Sequence, residues 1–201
     1  MPRSQSGFQL RHGGNPWVDV NLVRPLRVAQ ASLIRPGNYE NMPKKSKTPA
    51  PLMSGQSVSD AFATILKFNF DYLLTWEQAA RSWDQIEGVH QSRVTLRRMR
   101  SALSLFRDAL PKTSRKYWSE ELRWVAGELG MARDMDVLIS ESLAAAAKDL
   151  PLEGAQGLMR LAEQRRAQAY QEQVCPMLDS DRYRSFKEGF QAWFDKKQWE
   201  T

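Results

Sequence analysis

Residues 89–110 read VHQSRVTLRRMRSALSLFRDAL, a stretch with five arginines, one histidine and a single acid, Asp108. Stepping about 100° per residue along a helix places His90, Arg93, Arg97, Arg100, Ser104 and Arg107 in a wedge about 100° wide. Leu96, Met99, Leu103, Phe106 and Leu110 gather on the opposite side, with Ala102 at its edge. One face is therefore core and the other a basic stripe, and Arg98 falls toward the flank. Like charges at i,i+3 and i,i+4 destabilise a helix by roughly 0.2–0.5 kcal/mol per pair. Arg93–Arg97 and Arg97–Arg100 are such pairs, and no acid at a neighbouring helical position relieves them. Two readings need no ligand: a solvated face, or ion pairing with Glu120, Glu121, Asp134 or Asp136 on other helices. The functional reading is anion binding. Guanidinium offers planar paired donors that match phosphate oxygens, and it keeps its charge. Positions 93 to 107 span about 20 Å of helix axis, longer than one small phosphate needs and suited to a linear polyanion.

Outward from this stretch the pattern stays helical. In SVSDAFATILKFNFDYLLTWEQAARSW, Ser57 and Asp60 form an N-terminal capping signature. Ala61, Ile65, Phe68, Tyr72 and Trp76 then recur at helical spacing, and Gly88 is expected to close this first helix. The arginine helix follows and stops at Pro111. A third, long helix is expected up to Pro151, with Ser114 as its cap and Gly127 and Gly130 weakening its middle. A fourth covers roughly residues 153–174, ahead of Pro176, and a fifth starts at Asp179 or Ser180. No strand pattern appears after residue 57. Long helices with short joints imply an all-α fold, an antiparallel bundle of about four to five helices.

The charge is unevenly placed. The net +6 of the 201-residue chain resides in residues 1–55, while residues 56–201 sum to zero. Inside that neutral part, residues 93–123 carry nine basic side chains against Asp108, Glu120 and Glu121, the kind of cluster that faces a polyanion. Residues 1–55 hold seven of the ten prolines and show no sustained period, so they read as an irregular basic leader before a helical domain over 56–201. The one cysteine, Cys175, has no partner for an internal disulfide. No apolar run reaches membrane-span length, and the N-terminus lacks the apolar core of a secretory signal, so a cytoplasmic protein without membrane association is expected.

Two stretches carry a resemblance. His90, Arg93, Val94, Arg97, Arg98 and Arg100 match a His-x-x-Arg-Val-x-x-Arg-Arg-x-Arg helix. Leu129, Gly130, Arg133, Asp134, Asp136 and Val137 match a Leu-Gly-x-x-Arg-Asp-x-Asp-Val stretch. In order and separation both resemble the signatures of the CHAD family, the conserved histidine α-helical domains, over roughly residues 57–197. The resemblance implies a helical domain that binds inorganic polyphosphate through basic residues lining a central groove, often at polyphosphate granules. It also implies two similar helical halves. The second His-x-x-Arg helix is not found here, so the chain looks like the first half, and a twofold homodimer is expected to supply the other.

The candidate polyphosphate ligands are His90, Arg93, Arg97, Arg100, Arg107, Lys112, Arg115, Arg123, Arg133 and Arg166. Lys112, Arg115 and Lys116 either extend the stripe or are simply solvated. Arg160, Arg165 and Arg166 face the same groove or belong to a surface partly neutralised by Glu163 and Glu172. Asp134 and Asp136 are expected to orient Arg133 or Arg123. Trp83, Trp118, Trp124 and Trp193 are expected to pack the bundle. With two histidines and one cysteine there is no metal ligand set, and no cofactor or catalytic motif is read. Two alternatives stand beside polyphosphate. One is a phosphotransfer domain using His90, which the surrounding arginines would shield from a partner. The other is nucleic-acid binding, for which no base-reading module is present.

Overall fold

Ser57 opens the first helix as the sequence predicts: its side-chain oxygen accepts from the backbone N–H of Asp60 at 3.1 Å. A computed structural model describes residues 52–83, 85–149 and 153–200. The leader up to residue 51 and the expected stop at Pro151 lie outside them. Helix α1 (Val58–Arg81) is followed by α2 (Ile86–Leu105), a 3₁₀ turn (Arg107–Ala109), α3 (Lys112–Glu128) and α4 (Gly130–Val137). A π-helical segment (Leu138–Leu143) leads into α5 (Ala144–Asp149). Then come α6 (Glu153–Ala169), a second π-helical segment (Tyr170–Val174), α7 (Cys175–Asp179) and α8 (Asp181–Asp195). Among the described residues there is no strand, and no helix is long and apolar enough to cross a membrane.

Helix α2 packs between α1 and α3, and α8 closes on α3. The predicted core face of α2 is the observed one: Leu96, Met99, Ala102, Leu103 and Leu110 are buried, with Phe106 packed beside them. The face of α1 differs. Phe62, Leu66, Phe70 and Leu73 are buried in the main core, whereas Ala61, Ile65 and Phe68 are half-buried on its flank. Tyr72 and Trp76 belong to a smaller cluster with Ala79. The main core is aromatic. Trp118 of α3 meets Phe190 of α8 edge-on at 5.0 Å, and Phe70 of α1 meets Phe190 at 4.8 Å. Beyond α8, Trp199 sets its ring 5.1 Å from Phe62 and donates to Ser59 at 2.8 Å, while Lys197 pairs with Asp60 at 2.9 Å. The end of the described chain is thereby fastened to the start of α1.

Three expected boundaries are corrected. Gly88 does not end α1, which stops at Arg81. It lies in the first turn of α2, where a Cβ would collide with the backbone of Ala79 and Ala80. The glycine is a contact surface that lets the two helices cross closely. The third helix breaks at Leu129, between the two weakening glycines, and its N-cap is Pro111 rather than Ser114. Pro176 does not terminate a helix. It occupies the first turn of α7, just after the π-helical segment, where a missing N–H is tolerated. The fifth helix starts as expected, with Ser180 accepting from Tyr183 N–H at 3.1 Å.

The Gly88 crossing generates a prediction. Gly88→Ala should lower stability by roughly 3 kcal/mol, the upper range for overpacking, because backbone and not a flexible side chain stands in the way. Gly127→Ala, where a Cβ meets open space, should be neutral or stabilising. Thermal unfolding of both variants checks the pair.

Candidate anion-binding groove

The core side chains of α2 fix where its arginines point. With Leu96, Met99 and Leu103 buried, Arg97, Arg100 and Ser104 are held exposed, and Arg93 is half-buried at the α3 side. Arg93 donates from Nη1 to the carbonyl of Ala126, near the C-terminus of α3. A cation there also complements the helix dipole. A side chain at Gly130 would stand 3.7 Å from that nitrogen, so the two signature stretches meet here. At the other end of the helix pair, Leu103 and Ser104 share a cavity with Lys112, Arg115, Lys116 and Ser119. These two fixed points set α2 and α3 antiparallel. Counting along both helices from these points puts Arg100 at the level of Ser119 and Arg97 at the level of Arg123.

Helix α3 carries its own stripe. At about 100° per residue, Lys112, Arg115, Lys116, Ser119 and Arg123 fall within about 100° of one another. Trp118, Leu122 and Val125 turn to the core. The groove between the helices is thus walled by cations from both sides. Among the described residues, no acidic side chain forms an ion pair with Arg97, Arg98, Arg100, Lys112, Arg115, Lys116 or Arg123. The acids that might have paired with the stripe are engaged elsewhere or stand apart. Glu121 binds Arg182 at 2.8 and 3.2 Å, with that guanidinium stacked 4.0 Å from the Trp124 ring, and Asp136 is buried. Cross-helix ion pairing therefore does not account for the stripe.

Other candidates are placed differently. His90 sits half-buried in α2, one turn before Arg93. Arg107 has left the α-helical phase: it lies in the 3₁₀ turn, exposed, with Asp108 at 3.6 Å. Arg98 is as exposed as Arg97 but projects from the flank. Arg133 is half-buried on α4 and acts electrostatically on Asp136. Arg160 and Arg165 are exposed on α6. Of the tryptophans, Trp118 and Trp193 are buried, Trp124 is half-buried and Trp83 is exposed.

Arg166 needs the largest correction. It is buried, and its Nε donates to Asp136 at 2.6 Å while Nη2 donates to the carbonyl of Trp83. Glu163 approaches Nη1 at 3.5 Å. Tyr170 hydroxyl donates to the second Asp136 oxygen at 3.1 Å. Burial pushes the Asp136 carboxyl upward, against the pull of Arg166, Tyr170 and Arg133. Asp136 therefore ion-pairs with Arg166 rather than with Arg133 or Arg123, and the Arg166 guanidinium is engaged inside the protein. Both π-helical segments adjoin this cluster, one beginning just after Asp136 and the other at Tyr170.

An all-α bundle with a basic helix pair defines a recognisable class of domain. The sequence model of the CHAD domain matches residues 64–201, and the chain belongs to that family. The crystal structure of the CHAD domain from the plant Ricinus communis is similar, with a TM-score of 0.60 and 26% identity. That match covers 76% of this chain and 52% of that one. Two uncharacterized proteins of Mycobacterium tuberculosis, from strains CDC 1551 / Oshkosh and H37Rv, are each 35% identical over 92 residues. The match takes in 45% of this chain and 18% of theirs, so the chain spans under a fifth of these relatives' length.

Removing one partner of the buried pair should be costly. Asp136→Ala leaves the buried Arg166 guanidinium with only the more exposed Glu163, at 3.5 Å, as a counter-charge, and should lose about 3 kcal/mol in chemical denaturation, the lower end for breaking a buried pair. The double variant Asp136→Leu/Arg166→Met should lose less than Asp136→Ala alone, because no uncompensated charge remains.

Proposed function

We propose that this chain binds inorganic polyphosphate, or a similar linear polyanion, along the α2–α3 groove, and that it does so without catalysis. One observation carries the proposal: two facing helices present Arg97, Arg100, Lys112, Arg115, Lys116 and Arg123 without an acidic partner among the described residues. Unrelieved like charge costs stability in the free protein, and a polyanion removes that cost on binding. From Lys112 to Arg123 the cationic wall runs about 16 Å, so it fits a chain of phosphates better than a single one. Membership of the CHAD family, whose domains are associated with polyphosphate, supports the same ligand. Guanidinium groups hold their protons at any physiological pH, so the groove is suited to gripping charge rather than to moving protons. Nucleic acid shares the backbone charge, but the groove offers no aromatic platform: its lining at the α3 end is Leu103, two serines and three cations.

Binding to immobilised polyphosphate, with RNA as competitor at equal phosphate, tests the ligand. Polyphosphate should displace RNA, and the reverse result would overturn the proposal. Reversing Arg97 and Arg100 together to Glu should abolish binding and leave the helical circular dichroism unchanged, because both side chains are exposed. Arg98→Glu should weaken binding less. Arg97→Lys should have a partial effect, since charge is kept and the paired donors are lost.

A further inference from the structure

The groove is not uniform along its length. At the α2 C-terminus and the α3 N-terminus it widens into a shallow, open cavity of about 300 Å³ lined by Leu103, Ser104, Lys112, Arg115, Lys116 and Ser119. Its floor, Leu103, is fully buried and apolar, and its rim carries three cations and two hydroxyls. None of the three cations has an ion-pair partner among the described residues, and no acid lines the cavity. Lys112 opens α3, so the positive end of that helix dipole lies at the same place. At the opposite end of the helix pair, Arg93 is tied to the Ala126 carbonyl, and the walls there offer single arginines, Arg97 and Arg123, rather than a cluster.

Interior and terminal groups of a linear condensed phosphate differ chemically. An interior phosphate has one ionisable oxygen. A terminal phosphate has two, the second with a pKa of about 6, as in a phosphomonoester. It therefore carries nearly double charge at neutral pH and an extra unshared oxygen to accept hydrogen bonds. The cavity holds the volume of about ten waters, enough for one terminal phosphate with part of its hydration. Three cations and two hydroxyls around one point match the terminal group better than an interior one.

We infer that this cavity is an end-binding subsite: it takes the terminal phosphate of a linear condensed phosphate and so fixes where the chain enters the groove. The inference rests on the polyphosphate reading above and adds a directional specificity to it. Its ligand class includes short linear phosphates with free ends and excludes cyclic ones of equal phosphate number. Ser104 and Ser119 donate to the terminal oxygens, Arg115 and Lys116 neutralise them from α3, and Arg97 with Arg100 engages the chain that follows.

Competition against bound long-chain polyphosphate separates the two ideas, with linear tripolyphosphate and cyclic trimetaphosphate as the probes. At pH 8 the linear probe should compete at least about tenfold better than the cyclic one, a preference of the size expected of one extra charge-assisted contact set. Lys116→Ala/Ser119→Ala should bring the two probes to within about threefold of each other. Arg97→Ala should weaken both and keep their ratio. Both variants remove exposed or half-buried side chains outside the core, and circular dichroism checks their folding. Equal competition by the two probes in the wild-type protein would overturn the end subsite. So would a linear preference that survives Lys116→Ala/Ser119→Ala. Either result leaves the polyphosphate reading standing, provided that long chains still bind through Arg97 and Arg100. Failure of long chains to bind would overturn both.

Discussion

The seating of α2 between α1 and α3 is the constraint on which the rest depends. Leu96, Met99 and Leu103 are fully buried, and Gly88 lets α2 approach the α1 backbone at Ala79 and Ala80 without a side chain between them. A helix held on two sides has one free arc, and that arc carries Arg97, Arg100 and Ser104. The arginines are therefore outside because hydrophobic burial decides the rotation of the helix. Each fully buried aliphatic side chain contributes about 1.5–3 kcal/mol, well above the few tenths lost to each like-charge pair. The core holds the charges in place against their own repulsion.

The distribution of acids completes the arrangement. Glu77, Glu121, Asp136 and Asp179 pair with Lys187, Arg182, Arg166 and Arg81 respectively. All four pairs join elements distant in sequence, so these acids fasten helices together. Asp136 is the extreme case: its side chain has no solvent exposure, and it links α4, α6 and, through Arg166, the turn after α1. What remains without an acid is concentrated on α2 and α3. A near-neutral domain can thus present a strongly cationic groove.

Much of this was legible in the sequence, for reasons that differ by element. The α2 segment was clear because its apolar and basic residues segregate cleanly at helical spacing. Helix α1 was less clear: Ala61, Phe62, Ile65, Leu66, Phe68, Phe70, Tyr72 and Leu73 surround much of the helix, so periodicity alone misjudged which of them face the main core. Gly88 and Pro176 mislead in the sequence because a glycine or proline is ordinarily a stop. Here one serves a close crossing and the other follows a π-helical register shift. The α3 stripe obeys the same arithmetic as α2, but Glu120 and Glu121 interrupt its run of charge in the sequence, and only the fold shows Glu121 turned to Arg182. Asp136–Arg166 was out of reach, since thirty positions separate the partners and only tertiary structure brings them together. Ser119 carries no signal in the sequence for a similar reason: a serine becomes informative only once it shares a cavity with three cations.

The arginines differ in what already holds them, and that difference is open to direct observation. Arginine side-chain Nε–Hε resonances, followed by NMR during titration with polyphosphate at low salt, report each guanidinium separately. Large shifts are expected at Arg97, Arg100, Arg115 and Arg123, and little change at Arg166, locked on Asp136, or at Arg182, locked on Glu121. Shifts confined to Arg160, Arg165 and Arg184, with the α2 and α3 arginines unmoved, would contradict this expectation.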